Sequence, residues 1–312
     1  MAFTAKDVQA LREMTGVGMM DCKKALTEAN GDKDKAIELL REKGLAASRT
    51  KAGRIAAEGV VTAIVDAEGV GAVVEVNSET DFVAKNDTFQ AFVKDVAEVV
   101  AKENPADMDA LMAMTYPGTD RTIEQALQDK ILVIGENLKI RRFARYGEGM
   151  NVAYIHAGGK IGVLVNMEVS DNIKGSEVVA ELGKDIAMQI AAMRPQYLDS
   201  SVVPAEEQAK EEEIQLVKAI EENKAKNMDE EKAKKIAQNM VKGRMNKFFE
   251  EICLLNQPFV KENKISVEKH VQAVAKELGG EIKIKGFIRF ERGEGLEKRQ
   301  DDFAAEVASM MK

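Results

Sequence analysis

The chain has 312 residues, 45% apolar and 31% charged, enough for about two domains with packed cores and too apolar for wholesale disorder. A formal charge of −8 and an aromatic content of only 5% argue against a nucleic-acid binder, which needs clustered Lys and Arg and stacking platforms. Cys22 and Cys253 are too few for a disulfide framework, His156 and His270 lie too far apart for zinc-ligand spacing, and no apolar run reaches the roughly 18 residues of a membrane span.

Residues 1–50 read as three short helices. Thr4 caps the first, with Asp7 in its first turn, Val8 and Leu11 as its apolar stripe, and Thr15-Gly16 at its end. The second runs Met19–Ala29 with Cys22, Ala25 and Leu26 inward, stopped by Gly31. Asp32 starts the third, where Ala36, Ile37, Leu39 and Leu40 keep helical spacing up to Gly44. Such short helices bury little area, so this is a marginal minidomain. The stretch Ala46–Ala57 is polar and basic (Arg49, Lys51, Arg54) and reads as a linker, with residues 51–57 joining the minidomain to the rest of the chain. Residues 1–55 hold 11 Lys and Arg against 8 Asp and Glu, a local +3 in an acidic chain.

The pattern then changes to period two. Gly59–Val65 reads as a strand, Asp66-Ala67-Glu68-Gly69 as a turn and Val70–Val76 as the return strand. A helix comes next with Phe89, Phe92, Val93, Val96 and Val100 on one face, closed by Pro105. A Met-rich stretch leads to a short helix near Thr122–Lys130 and a strand at Leu138–Tyr146. The plan recurs. Strands Val152–His156 and Ile161–Val169 flank Ala157-Gly158-Gly159-Lys160, and a helix carries Val179, Leu182, Ile186, Ile190 and Met193 up to Pro195. Strand Ile282–Phe290 mirrors Leu138–Tyr146, and Gly293-Glu294-Gly295 mirrors Gly147-Glu148-Gly149. This is an internal duplication, core halves 58–149 and 150–295, each a small antiparallel sheet with helices on one face, hence an α+β fold.

The second half contains an insertion at 205–251, dense in Glu and Lys. Ile214, Val217, Ala233, Ile236 and Met240 fall at helical spacing, and Asn227 with Glu230 offers a cap for a second helix. The reading is a helical hairpin with a thin apolar seam, projecting as an arm. Residues 296–312 read as a C-terminal helix with Phe303, Val307 and Met310 or Met311 on one face.

Chemistry is nearly absent from the motifs. No Gly-x-x-x-x-Gly-Lys-Ser/Thr loop occurs, and Gly16-Val17-Gly18 and Gly158-Gly159 read as turn glycines. His156 and His270 are the available histidine bases, and neither has a nucleophile in a recognisable elbow, which leaves a hydrolase weakly supported. No cofactor, metal or bond-making role is expected. Three segments look built for contact instead, one of them the tail at 302–311, which docks either on its own domain or on a partner. In Thr80-Asp81-Phe82-Val83-Ala84-Lys85-Asn86, Phe82 falls outside both the strand alternation and the helix stripe. The plainer reading makes Phe82 a hydrophobic staple and Asp81 a cap; the sharper one makes an aromatic wedge beside a carboxylate. At Met19-Met20 two consecutive residues cannot both face inward on one helix, so one lies at the surface near Arg12, unless both are partly buried.

Leu11–Leu26, Thr80–Asn86, His156–Val165 and Gly286-Phe287-Ile288-Arg289-Phe290 resemble, in order and over essentially the whole chain, the bacterial translation elongation factor Ts family. The resemblance implies an N-terminal three-helix domain of the ubiquitin-associated type, a duplicated core, a coiled-coil hairpin and a C-terminal helix. It implies a cytoplasmic guanine-nucleotide exchange factor for the GTPase elongation factor Tu. The family's Thr-Asp-Phe-Val stretch, credited with dislodging the partner's magnesium, matches Thr80, Asp81, Phe82 and Val83 without departure. Its other partner contacts match Arg12, Met19, Met20 and His156. Some members pair through the core, so a homodimer is kept open; nucleic acid and membrane are not expected partners. A helical adaptor or ribosome-associated chaperone would account for the first fifty residues but not for the duplicated core.

Overall fold

In the computed structural model, which describes residues 3–224 and 230–297, the first helix, α1 (Ala5–Thr15), opens on a capping box. Asp7 Oδ2 accepts from the Thr4 N–H at 2.9 Å and from the Thr4 hydroxyl at 2.8 Å. These bonds, with Lys33, hold the Asp7 carboxyl down at about 2. Helix α2 (Met19–Glu28) and helix α3 (Lys33–Lys51) complete the bundle. Its core is Val8, Leu11, Val17, Cys22, Leu26, Ala36 and Leu40.

Helix α3 corrects the expected stop at Gly44 and the expected linker from Ala46. It runs unbroken to Lys51. Gly44 is buried mid-helix, where a Cβ would meet the Gln128 carbonyl oxygen at 3.4 Å and Leu132 Cβ at 3.8 Å. It is the point where two helices approach closely rather than a terminator. Beyond it, Ala46 and Ala47 favour the helix, and Arg49 and Lys51 complement its C-terminal dipole.

The chain divides into two compact units, the first holding the described residues of Met1–Gly147, Ile155–Gly162 and Phe290–Lys312, the second Glu148–Tyr154 and Val163–Arg289. In the first, β1 (Glu58–Val65), β2 (Gly71–Ser78), α4 (Asp81–Ala84), α5 (Asp87–Glu103), α6 (Met108–Ala113), α7 (Ile123–Ile134) and β3 (Lys139–Tyr146) come after the bundle. The sheet order is β1-β2-β3, antiparallel throughout. Central β2 is buried along its whole length, and α5 covers it with Phe89, Phe92, Val93, Val96 and Val100. The β2–β3 register shifts between Glu75 and Val76, a bulge at Arg141.

The second unit takes most of β4 (Met150–His156) and β5 (Ile161–Val169), whose residues 155–156 and 161–162 belong to the first unit, and then α8 (Glu177–Met193). Its second part contains α9 (Ala205–Lys224), α10 (Glu230–Ile252), the short strands β6 (Pro258–Phe259) and β7 (Glu262–Ser266), α11 (Val267–Leu278) and β8 (Ile282–Glu291). The sheet order β4-β5-β8 repeats that of the first sheet. Gly183 lets α8 lie close on the sheet, since a Cβ there would meet Val152 Cγ2 at 2.6 Å and Met167 Cε at 2.9 Å. Helix α11 was not anticipated, although Val267, Val271 and Ala275 give it a buried stripe and Ser266 caps it through the Lys269 N–H. It precedes the last strand as α7 precedes β3, so the repeat is fuller than the pattern suggested.

The α9–α10 hairpin has a seam shifted from the expected one. Ala219, Ala237 and Val241 are buried, with Asn223, whereas Ile214 and Val217 are exposed. Two small residues let the helices come close, and close approach decides which face is the seam. The expected cap at Asn227, the side chain of Ala233 and the expected C-terminal helix with Phe303, Val307, Met310 and Met311 lie outside the described residues.

Candidate functional site

Thr80, Asp81, Phe82 and Val83 sit at the turn from β2 into α4. Strand β2 ends at Ser78, whose hydroxyl donates to the Thr80 carbonyl at 2.9 Å. Helix α4 is one turn long, and its inner side is fixed because Val83 and Ala84 are buried. Asn86 then caps α5, its Oδ1 accepting from the Phe89 N–H at 3.1 Å.

Phe82 points the other way and is 80% exposed. The plainer expectation, a staple at the helix start, is therefore overturned: the ring covers no neighbouring turn. Nor does Asp81 cap the long helix, a role that Asn86 fills. Lys85 donates to Asp81 Oδ2 at 3.0 Å and stands 6.0 Å from the centre of the Phe82 ring. That hydrogen bond holds the Asp81 carboxyl below its ordinary value of 3.8. Beside the ring lies a shallow groove of about 300 Å³, lined by Phe82, Val83, Asn86, Thr88, Val133 and Ile134. An exposed aromatic next to an apolar groove is a surface suited to a partner helix.

The strand–helix junction is braced from a distant segment. Glu136 Oε2 accepts from the N–H groups of Glu79 and Thr80, each at 3.0 Å, and its Oε1 accepts from the Thr80 hydroxyl at 2.6 Å. Sequence reasoning missed Glu136, because nothing in its own neighbourhood marks it. Val133 and Ile134 were missed too, and Lys85 was named within the segment without a role.

Arg12 lies in the last turn of α1, and Met19 and Met20 open α2. Both methionines are exposed, Met19 by 42% and Met20 by 62%, so the pair does not face inward, and the alternative in which both are partly buried does not hold. Cys22 supplies the inward side chain instead. Met14 is exposed as well, which widens the methionine surface beyond the expected pair.

His156 is exposed where β4 ends. Three successive left-handed residues, Ala157, Gly158 and Gly159, turn the chain there. The tip is pinned by the Val61 N–H donating to the Gly159 carbonyl at 2.8 Å. A Cβ on Gly159 would stand 2.7 Å from Val60 Cγ1 and 3.3 Å from the Val61 oxygen, so the close approach demands glycine. His270 is a packing residue, stacked on Phe259 with ring centres 4.0 Å apart. Thus Thr80–Val83 form one segment, while Met19, Met20 and His156 lie on other elements of the same unit. Among the described residues no group of His, Cys, Asp or Glu is gathered to hold a metal ion, and no helix is long and apolar enough to cross a membrane.

Comparison with known proteins agrees with the motif reading. The family model described as Elongation factor TS matches residues 79–294. The chain is 49% identical over 315 residues to Elongation factor Ts of Syntrophotalea carbinolica, covering 100% of both chains. It is 48% identical over 314 residues to that of Trichlorobacter lovleyi, covering 99% of this chain and 98% of the relative. It is 47% identical over 310 residues to that of Clostridium perfringens strain SM101, covering 98% of each.

Proposed function

This chain belongs to the elongation factor Ts family of translation elongation factors, and on that premise we propose that it is a guanine-nucleotide exchange factor. It binds elongation factor Tu carrying GDP, displaces the magnesium ion and hastens GDP release, with no bond-making chemistry of its own. Its place of work is the cytoplasm.

The task is thermodynamic. The factor must bind the nucleotide-free GTPase better than the nucleotide-bound form, and linkage makes nucleotide and factor weaken each other equally. Hastening release about a thousandfold takes roughly 4 kcal/mol of differential interaction. Burying one Phe side chain supplies only about 1.5–3 kcal/mol. Phe82 therefore works within a wider interface, for which Arg12, Met19, Met20 and His156 are the proposed further contacts. In this reading the ring inserts between helices of the GTPase and shifts the groups that orient magnesium. Without that charge the hold on the diphosphate weakens. Val83 anchors the turn that carries the ring, Thr80 ties it to the sheet, and Asp81 stands beside it as a carboxylate.

The single observation that carries the proposal is the 80% exposure of Phe82 on a one-turn helix anchored by Val83 and Ala84. The ring stands beside the groove lined by Val83, Val133 and Ile134, so it offers a partner apolar area continuous with that groove rather than a lone exposed side chain. Calorimetric titration of elongation factor Tu tests the reading. Binding to the nucleotide-free GTPase should be far tighter than to the form loaded with magnesium and GDP. Equal affinities for the two forms would reject exchange activity.

A further inference from the structure

Helix α4 holds only Asp81–Ala84, far short of the length at which a helix supports itself. Thr80, the residue before it at the N-cap, makes no side-chain cap to α4; the hydroxyl is bonded to Glu136 instead. The direction of Phe82 is therefore set by ties outside the helix. Val83 and Ala84 fix the inner side. The angle of entry is set by the Glu136 carboxylate, which gathers the Glu79 and Thr80 N–H groups and the Thr80 hydroxyl at 3.0, 3.0 and 2.6 Å.

The tie is reciprocal. Glu79 Oε1 accepts from the Asn137 N–H at 2.6 Å, and the buried Asn137 amide donates to the Arg54 carbonyl at 2.8 Å. Residues 79–80 and 136–137 thus grip each other in both directions. Glu136 comes directly after Gly135, the left-handed residue that ends α7, and the last residues of α7, Val133 and Ile134, line the groove beside Phe82. One segment shapes the groove and sets the ring against it. We propose that Glu136 is a positioning residue for exchange, holding the β2–α4 junction so that Phe82 is presented at a fixed angle. This role rests on the exchange activity proposed for the chain.

The test is release of fluorescent GDP from magnesium-loaded elongation factor Tu by the full chain, over a range of factor concentrations. Losing a charged hydrogen-bond acceptor, Glu136→Ala should lower the maximal rate about tenfold. The half-saturating concentration should change by no more than about twofold, because the rest of the interface is intact. Combined with Phe82→Ala, it should add nothing to the loss caused by Phe82→Ala alone. A full maximal rate in Glu136→Ala, or an equal further loss when Phe82 is already absent, would overturn the proposal. If Glu136→Ala does not fold, Glu136→Gln decides: its neutral amide keeps one acceptor oxygen of the two that gather the Glu79 and Thr80 donors, so the maximal rate should fall while half-saturation holds. A full maximal rate in Glu136→Gln would overturn it. Failure of the unmodified chain to hasten release would instead overturn the exchange reading, and this role with it, before any variant is compared.

Discussion

Glu75 Oε2 lies 2.6 Å from Arg142 Nε, and the carboxylate is wholly buried. The bulge in β3 lets two consecutive arginines reach this one group, Arg141 Nη1 standing 3.0 Å from Glu75 Oε1. The Gly293 N–H donates to Oε1 at 2.8 Å, so residues beyond β8 are tied to β2. Arg142 adds bonds to the Glu291 carbonyl at 3.1 Å and to Glu294 Oε2 at 3.2 Å. Burial pushes the Glu75 pKa up, but the Gly293 N–H, Asn77 and the two arginines outweigh it, and the carboxyl ends below its ordinary value of 4.5.

Glu75→Gln keeps the volume and removes the charge facing both arginines. Breaking one side of a buried pair costs about 3 kcal/mol, taken at the low end because the arginines keep some solvent contact. Urea titration near neutral pH should show that loss. A depressed carboxyl favours the folded state above its unfolded pKa and loses that contribution as pH falls through its folded pKa. The gap between wild type and variant should therefore narrow as pH falls below 4.5. A gap that stayed constant into acid would show that Glu75 is not ionised in the fold.

Gly159→Ala tests the pinned hairpin tip. Its φ of +91° and the 2.7 Å approach to Val60 Cγ1 leave no room for a methyl group. Strain of this kind costs about 2 kcal/mol. The thermal midpoint should fall, and affinity for elongation factor Tu should weaken as His156 shifts. Gly158→Ala also carries a positive φ but meets nothing within 4 Å, so it should do less damage. Equal effects would show that the contact with β1 does not matter.

Met19→Ala and Met20→Ala should leave stability within about 0.5 kcal/mol, since exposed side chains contribute little to the fold. The bundle is proposed to set affinity rather than rate. The double variant should raise the half-saturating concentration of factor while the maximal exchange rate stays unchanged. A lowered maximal rate with unchanged half-saturation would reverse that division of labour.

How much of the fold and the site was legible in the chain depended on range. Local signals worked: Thr4 with Asp7, the stripe of Phe89, Phe92, Val93, Val96 and Val100, and the alternation of β1 and β2 each placed an element from its own residues. Signals whose meaning lies in a distant partner did not. Gly44 reads as a stop until α7 is laid against it. Ile214 and Val217 read as a seam until α10 sets the phase through Ala237 and Val241. Phe82 could be read either way, because exposure is decided by what the fold brings near. Glu136 was invisible for the same reason: its partner Thr80 lies 56 residues away. Glu75, alone among valines in a buried strand, was a signal passed over, since a charge in such a run implies a partner.

The central claim is that an exposed ring on a braced turn loosens the grip of a GTPase on magnesium and GDP. Stopped-flow measurement of GDP release from magnesium-loaded elongation factor Tu, with saturating wild-type chain or Phe82→Ala, tests it most directly. The wild-type chain should hasten release about a thousandfold, and Phe82→Ala, folded and still bound, should lose at least about tenfold of that. Release unaffected by the wild-type chain, or equally fast with Phe82→Ala, would contradict the account.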